Sequence, residues 1–120
     1  MSTQQQIREI YKKLPQKMRE IIASPELGLL IENISKVNGL NEEQNGKLVQ
    51  IVSETLLGIS TKESVYGNVK NIGVDESSAK KITNNIEFLI LNNLDRIYAK
   101  IISDVEIEEK TSENITVARP

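Results

Sequence analysis

The spacing of the apolar residues is the feature of this sequence that most constrains its fold. From Ile82 onward apolar residues recur every three or four positions, and the same steps run through residues 7–22 and 27–37. Side chains return to one face of an α-helix at this period. No segment shows the sustained alternation of apolar and polar residues that is typical of a half-buried strand. The sequence therefore predicts an all-α fold.

Residues that begin and end helices divide this pattern. Pro15 predicts a break in the N-terminal run, because proline disfavours the helical state for the residue before it. Side-chain oxygens precede most apolar stripes, as expected of N-caps, and glycines follow them, as expected of helix ends. The predicted N-caps are Ser24, Asn41, Asp75 and a capping box at 60–63, and the predicted helix ends are Gly39, Gly58 and Gly73. We expect a compact bundle of five or six helices with a long C-terminal helix from about 76 to 104.

Charge divides the chain into three parts. Residues 1–23 carry a net charge of +3 and predict a basic amphipathic helical segment, residues 24–104 form the expected bundle core, and residues 105–120 form an acidic tail. Residues 103–120 together carry a net charge of −3. We interpret the two ends as solvated faces. Head-to-tail association, or an intramolecular clasp between the ends, stays open as the alternative.

The residue types exclude most enzyme classes. The chain has no Cys and no His, so it lacks thiol chemistry, Cys-based metal sites and the usual general base near neutral pH. No glycine-rich phosphate loop and no nucleophile elbow is present. The acidic pairs Glu42/Glu43 and Asp75/Glu76 do not converge, because adjacent helical residues point about 100° apart, and helix capping explains them. We expect no enzymatic activity, no cofactor and no metal.

Hydropathy bears on membranes and localisation. No stretch approaches the roughly 20 apolar residues that cross a bilayer, and no signal peptide opens the chain, so we expect a cytoplasmic protein without a transmembrane segment. The N-terminal stripe of Ile7, Ile10, Tyr11 and Leu14 has basic flanks, as in helices that lie on anionic membranes. Because this apolar face is short, we expect it to pack on the bundle or on a protein partner.

The last predicted helix has an unusually wide apolar arc. One side holds Ile82, Ile86, Leu89, Ile90, Leu94, Ile97, Ile101 and Val105. The other side holds Phe88, Leu91, Tyr98 and Ile102. This arc of roughly 200° is about twice that of a surface helix. Either the helix lies at the centre of the bundle, or its far face is covered by another chain.

We favour a protein-binding surface on that far face. The predicted partner-binding residues are Phe88, Leu91, Tyr98 and Ile102, and the partner is another protein or a second copy of this chain. The basic N-terminal segment or the acidic tail provides a second contact. Asn92 and Asn93 interrupt the same helix, and they predict either a local bend or a buried Asn that fixes the helix register.

Nucleic-acid binding is the alternative function. Residues 70–82 resemble the turn and recognition helix of a helix-turn-helix, in which Ser77, Ser78, Lys81 and Asn85 would face the groove. However, residues 74–90 carry a net charge of −1. Neutralisation of phosphates supplies most non-specific affinity, so this charge disfavours the alternative.

The order of these motifs resembles a small helical domain found in proteins of ultra-small, reduced-genome bacteria of the candidate phyla. The motifs that match are Leu14-Pro15, Gly39-Leu40, Gln44-Asn45-Gly46-Lys47-Leu48, Leu56-Leu57-Gly58, Gly73-Val74-Asp75-Glu76 and Ala79-Lys80-Lys81-Ile82. The resemblance covers roughly residues 14–102. It implies an α-helical domain with no assigned activity.

Overall fold

The chain folds into helices joined by short connections in the computed structural model, which describes residues 4–103. The helices are α1 (Gln4–Lys13), α2 (Gln16–Ala23), α3 (Pro25–Val37), α4 (Glu42–Leu57), α5 (Val65–Lys70), α6 (Glu76–Leu89) and α7 (94–103). Two short 3-10 turns occupy Lys62–Ser64 and Leu91–Asn93. Within residues 4–103 no strand occurs, so the all-α prediction is confirmed. The acidic tail at 105–120 lies outside the described residues.

Side-chain caps begin three of these helices at the predicted positions. Ser24 Oγ accepts the Leu27 N–H at 3.3 Å, and Asp75 Oδ1 accepts the Ser78 N–H at 2.7 Å. Asn41 forms a complete capping box with Gln44. Each cap satisfies a backbone donor that the first turn of a helix leaves unpaired. These three predictions are confirmed.

The fourth predicted cap is wrong. Thr61 makes no side-chain capping hydrogen bond, and the Ser60 hydroxyl lies 3.5 Å from Glu54 Oε2 instead. The chain enters α5 through the 3-10 turn Lys62–Ser64. The predicted helix ends are correct, because Gly39, Gly58 and Gly73 all have positive φ. The break at Pro15 also lies where predicted, between α1 and α2.

A single apolar core joins the helices from α2 onward. α6 lies at its centre and packs against α5 and α3, while α3 also packs against α4 and α2. The inward face of α6 and the residue that follows it are fully buried: Ala79, Ile82, Ile86 and Ile90. α1 contributes no buried residue. Its apolar stripe is only half-buried, in agreement with the expectation that it packs on the bundle.

The C-terminal arm is interrupted where the two asparagines occur. α6 ends at Leu89, Ile90 departs from helical geometry with φ −119° and ψ −68°, and a 3-10 turn over Leu91–Asn93 leads into α7. Counted as one element, residues 76–103 form a 28-residue arm, which gives the predicted six helices. Of the two interpretations of Asn92 and Asn93, the local bend is the correct one, because the helical geometry is interrupted directly before them. None of the helices described at 4–103 is both long enough and apolar enough to cross a membrane.

Candidate protein-binding surface

The four predicted partner-binding residues differ in exposure. Phe88, the one phenylalanine of the chain, is 67% exposed, and Ile102 is 38% exposed. Leu91 and Tyr98 are half-buried and pack against the core. Phe88 lies in α6 and Ile102 lies in α7, on opposite sides of the interruption at residues 90–93. The four residues therefore do not form one continuous outer face.

Phe88 lies on the solvent side of α6. The same side carries Ser77, Lys81 and Asn84, which are all exposed, whereas the opposite side supplies the core. This arrangement follows from the helical period, because positions 77, 81, 84 and 88 return to one face. The Phe88 ring therefore faces solvent, on a helix whose opposite side is buried in the core.

Leu89 joins Phe88 in an exposed apolar patch that the sequence analysis did not identify. It is 45% exposed, although the helical period assigned it to the buried side. Leu89 is the last residue of α6, where the arm turns away, so neighbouring helices no longer cover it. Lys62 and Glu87 form an ion pair at 3.5 Å beside this patch. We call Phe88 and Leu89, with the half-buried Leu91 at their edge, the Phe88 surface.

Tyr98 belongs to the contact between α7 and α2. Interaction of its hydroxyl with the Glu20 carboxylate raises the Tyr98 pKa above its usual value of 10.0. Lys17 of α2 forms an ion pair with Asp95, and its Nζ lies 5.8 Å from the centre of the Tyr98 ring. These contacts hold α7 on α2 and occupy the polar end of Tyr98.

The residues of the possible recognition helix divide between two environments. Ser77 and Lys81 are exposed, whereas Ser78 and Asn85 are half-buried. Ser78, Lys81 and Asn85 line a depression with Val37 and Asn38 at the end of α3. The end of α3 thus occupies part of the face that a groove would need.

The two lysines on this face also lie near carboxylates. Lys80 pairs with Glu76 at 3.4 Å. The Ser78 N–H lowers the pKa of Asp75 below 3.8, and the charge of Lys81 acts in the same direction. Both observations disfavour a phosphate backbone as the ligand of α6.

Fold and surface together define the class of this protein: an all-α bundle that presents an exposed aromatic residue at the end of its central helix. No family model, no curated protein and no solved structure matches the chain. The resemblance to the helical domain of candidate-phylum bacteria stays a prediction.

Proposed function

We propose that this protein is a non-enzymatic interaction module of the cytoplasm that binds another protein through the Phe88 surface. The observation that carries the proposal is the 67% exposure of Phe88 on a helix whose opposite face is fully buried. Burying the exposed part of such a ring contributes roughly 1–2 kcal/mol. A partner that covers Phe88 and Leu89 together gains the apolar centre that interfaces share.

The surroundings of Phe88 suit a protein partner. Asn84 and the Lys62–Glu87 ion pair lie beside the apolar patch and provide the polar rim that is typical of interfaces. An apolar pocket or groove on the partner would receive the aromatic ring, as at energetic hot spots. We do not extend the proposal to nucleic acid, because Lys80 is paired with Glu76 and residues 74–90 carry a net charge of −1.

Of the four residues predicted from sequence, Phe88 is the centre of the proposed contact and Leu91 its edge. Ile102 lies further along the arm and is proposed as a second, smaller contact. Tyr98 acts mainly as a positioning residue, since it is half-buried against the core and its hydroxyl interacts with Glu20 of α2.

The test compares Phe88→Glu with Val37→Glu. Val37 is 81% exposed on α3, outside the Phe88 surface, so its substitution introduces the same charge at a control position. Light scattering after size exclusion measures self-association, and affinity capture from source cells with mass spectrometry measures other partners. We expect one specific protein, or a second copy, to bind the unmodified chain and Val37→Glu but not Phe88→Glu. Equal binding by both variants, or no binding by any chain, would contradict the proposal.

A further inference from the structure

Ion pairs are unevenly distributed over residues 4–103. Six lysines each have a carboxylate within 4.0 Å: Lys17, Lys36, Lys47, Lys62, Lys80 and Lys100. Seven basic residues have no ion-pair partner within that part of the chain: Arg8, Lys12, Lys13, Arg19, Lys70, Lys81 and Arg96. Four of these seven lie between positions 8 and 19. We call Arg8, Lys12, Lys13 and Arg19 the N-terminal cationic surface.

Arg8 and Lys12 lie one turn apart on the same side of α1, and α2 places Arg19 next to α1. The Tyr11 hydroxyl donates to the Arg19 carbonyl oxygen at 3.1 Å, so α1 folds back toward α2. Arg8, Lys12 and Lys13 are exposed on α1. Tyr11 and Arg19 line a cleft between the two helices, and Arg19 Nε is buried there without a hydrogen-bond acceptor among the described residues. Glu9 is the one carboxylate of α1 and Glu20 lines the cleft with Arg19, and together they offset only part of this positive charge.

The same helix has an incompletely covered apolar stripe. Ile7, Ile10, Tyr11 and Leu14 are all half-buried, and no residue of α1 is fully buried. A ligand suited to this surface therefore carries several negative charges together with a few apolar side chains.

Residues 104–113 have this composition. Their sequence includes Asp104, Glu106, Glu108, Glu109 and Glu113 against Lys110, a net charge of −4, and Val105 and Ile107 stand between the first carboxylates. The segment follows α7, which lies on α2 through the Lys17–Asp95 ion pair. Ten residues can span up to about 35 Å. The helix that carries α7, α2, also contacts α1 through the Tyr11–Arg19 hydrogen bond, so the segment starts beside the neighbour of α1.

We propose that residues 104–113 bind the N-terminal cationic surface of the same chain. The carboxylates pair with Arg8, Lys12, Lys13 and Arg19, and the two apolar residues cover the half-buried stripe of α1. This clasp is independent of the Phe88 surface. It competes with any other anionic ligand for α1.

The absence of cysteine allows a direct test in the full chain. Glu109→Cys provides a single attachment point for a nitroxide spin label, which broadens amide NMR signals near it. We expect the signals of α1 to lose intensity at low salt and to recover at 1 M salt, where the Debye length falls to about 3 Å. We also expect R8E/K12E/K13E to abolish the loss. The matched control K70E/K81E/R96E reverses three unpaired cations elsewhere and should retain it.

Three results would overturn the proposal. They are unchanged α1 signals, broadening that survives R8E/K12E/K13E, and broadening of the signals around Phe88 in place of α1. A mixture of spin-labelled chain and separately isotope-labelled chain detects contacts between copies, and α1 broadening of equal size there would assign the clasp to a second molecule. Chemical shifts of α1 report whether the reversed helix still folds. If the R8E/K12E/K13E helix does not fold, the test rests on whether 1 M salt restores the α1 signals of the chain with the unmodified α1 sequence.

Discussion

The Tyr98 hydroxyl of α7 interacts with the Glu20 carboxylate of α2, and this interaction raises the Tyr98 pKa. A residue predicted from sequence to face a partner thus helps to hold the C-terminal arm on the bundle. Lys100 and Glu26 reinforce the attachment with an ion pair at 3.0 Å, at the start of α3. The orientation of α7 therefore depends on polar contacts as well as on the buried side chain of Ile97.

The Tyr98–Glu20 contact predicts a measurable pH dependence. The hydrogen bond to Glu20, followed by burial and the Glu20 charge, raises the Tyr98 pKa above 10.0, because all three favour the neutral phenol. A group whose pKa is higher in the folded state contributes stability that is complete below the unfolded value and lost as pH rises through the folded value. We expect α7 to loosen only in that alkaline range.

Phenolate absorbance measures this titration. Tyr98 should give a late component, above the usual pKa of a tyrosine, and Tyr98→Phe should remove that component. Glu20→Gln should lower the Tyr98 pKa. If Tyr98→Phe leaves the late component in place, the contact does not exist in solution.

Truncation of Ile86 should destabilise the protein strongly, whereas truncation of Phe88 should change its stability little. Ile86 is fully buried, so Ile86→Ala should cost about 2–5 kcal/mol of unfolding free energy. Phe88→Ala removes a mostly exposed ring and should change stability by less than about 0.5 kcal/mol. Urea denaturation measures both. A large loss for Phe88→Ala would mean that this ring belongs to the core and is not available to a partner.

Two glycines of the α4 region should show opposite effects of the same substitution. Gly46 lies inside α4 with open space around it, so Gly46→Ala should stabilise the protein by about 0.5–1 kcal/mol. Gly58 ends α4 at φ +79°, where Gly58→Ala should cost roughly 1–2 kcal/mol because a Cβ is disfavoured there. Thermal unfolding compares the pair. Changes of the same sign would show that the helix does not end at Gly58.

Arg19 and Arg8 form a third matched pair. In Arg19→Lys a methylene replaces the buried, unpaired Nε and the charge is kept, so we expect a gain of about 1 kcal/mol. Arg8 is exposed, and Arg8→Lys should be neutral. Chemical denaturation distinguishes them. The charge proposed to pair with residues 104–113 is kept in this variant, so a loss of stability in Arg19→Lys would show that Nε itself has a hydrogen-bond acceptor.

The helices and most of their boundaries could be predicted because they depend on neighbours in sequence. Ser24 and Asp75 cap helices through donors three residues away, and Gly58 ends one through its own backbone. The prediction of a cap at 60–63 failed because Ser60 bonds to Glu54, a contact that depends on how the loop folds.

The candidate surface was predictable only in part, because it depends on how the arm bends. The prediction made from the wide apolar arc assumed that residues 76–104 form one straight helix with one set of neighbours. Instead α6 packs against α3 and α5, whereas α7 contacts α2, so the arc is shared between two groups of helices. Phe88 stays exposed as predicted, Tyr98 meets Glu20, and Leu89 becomes exposed where the arm changes direction.

The position of α7 on the protein depends more on the number of residues in the 3-10 turn at Leu91–Asn93 than on which residues these are. Inserting one residue there would rotate α7 by about 100° about its axis. Ile97 would leave the interior and Asp95 would move away from Lys17, while α6 would remain as it is. Asn92 is exposed, so we expect many side chains to be accepted at that position. Insertions or deletions in this turn, by contrast, would separate the end of the arm from the rest of the protein.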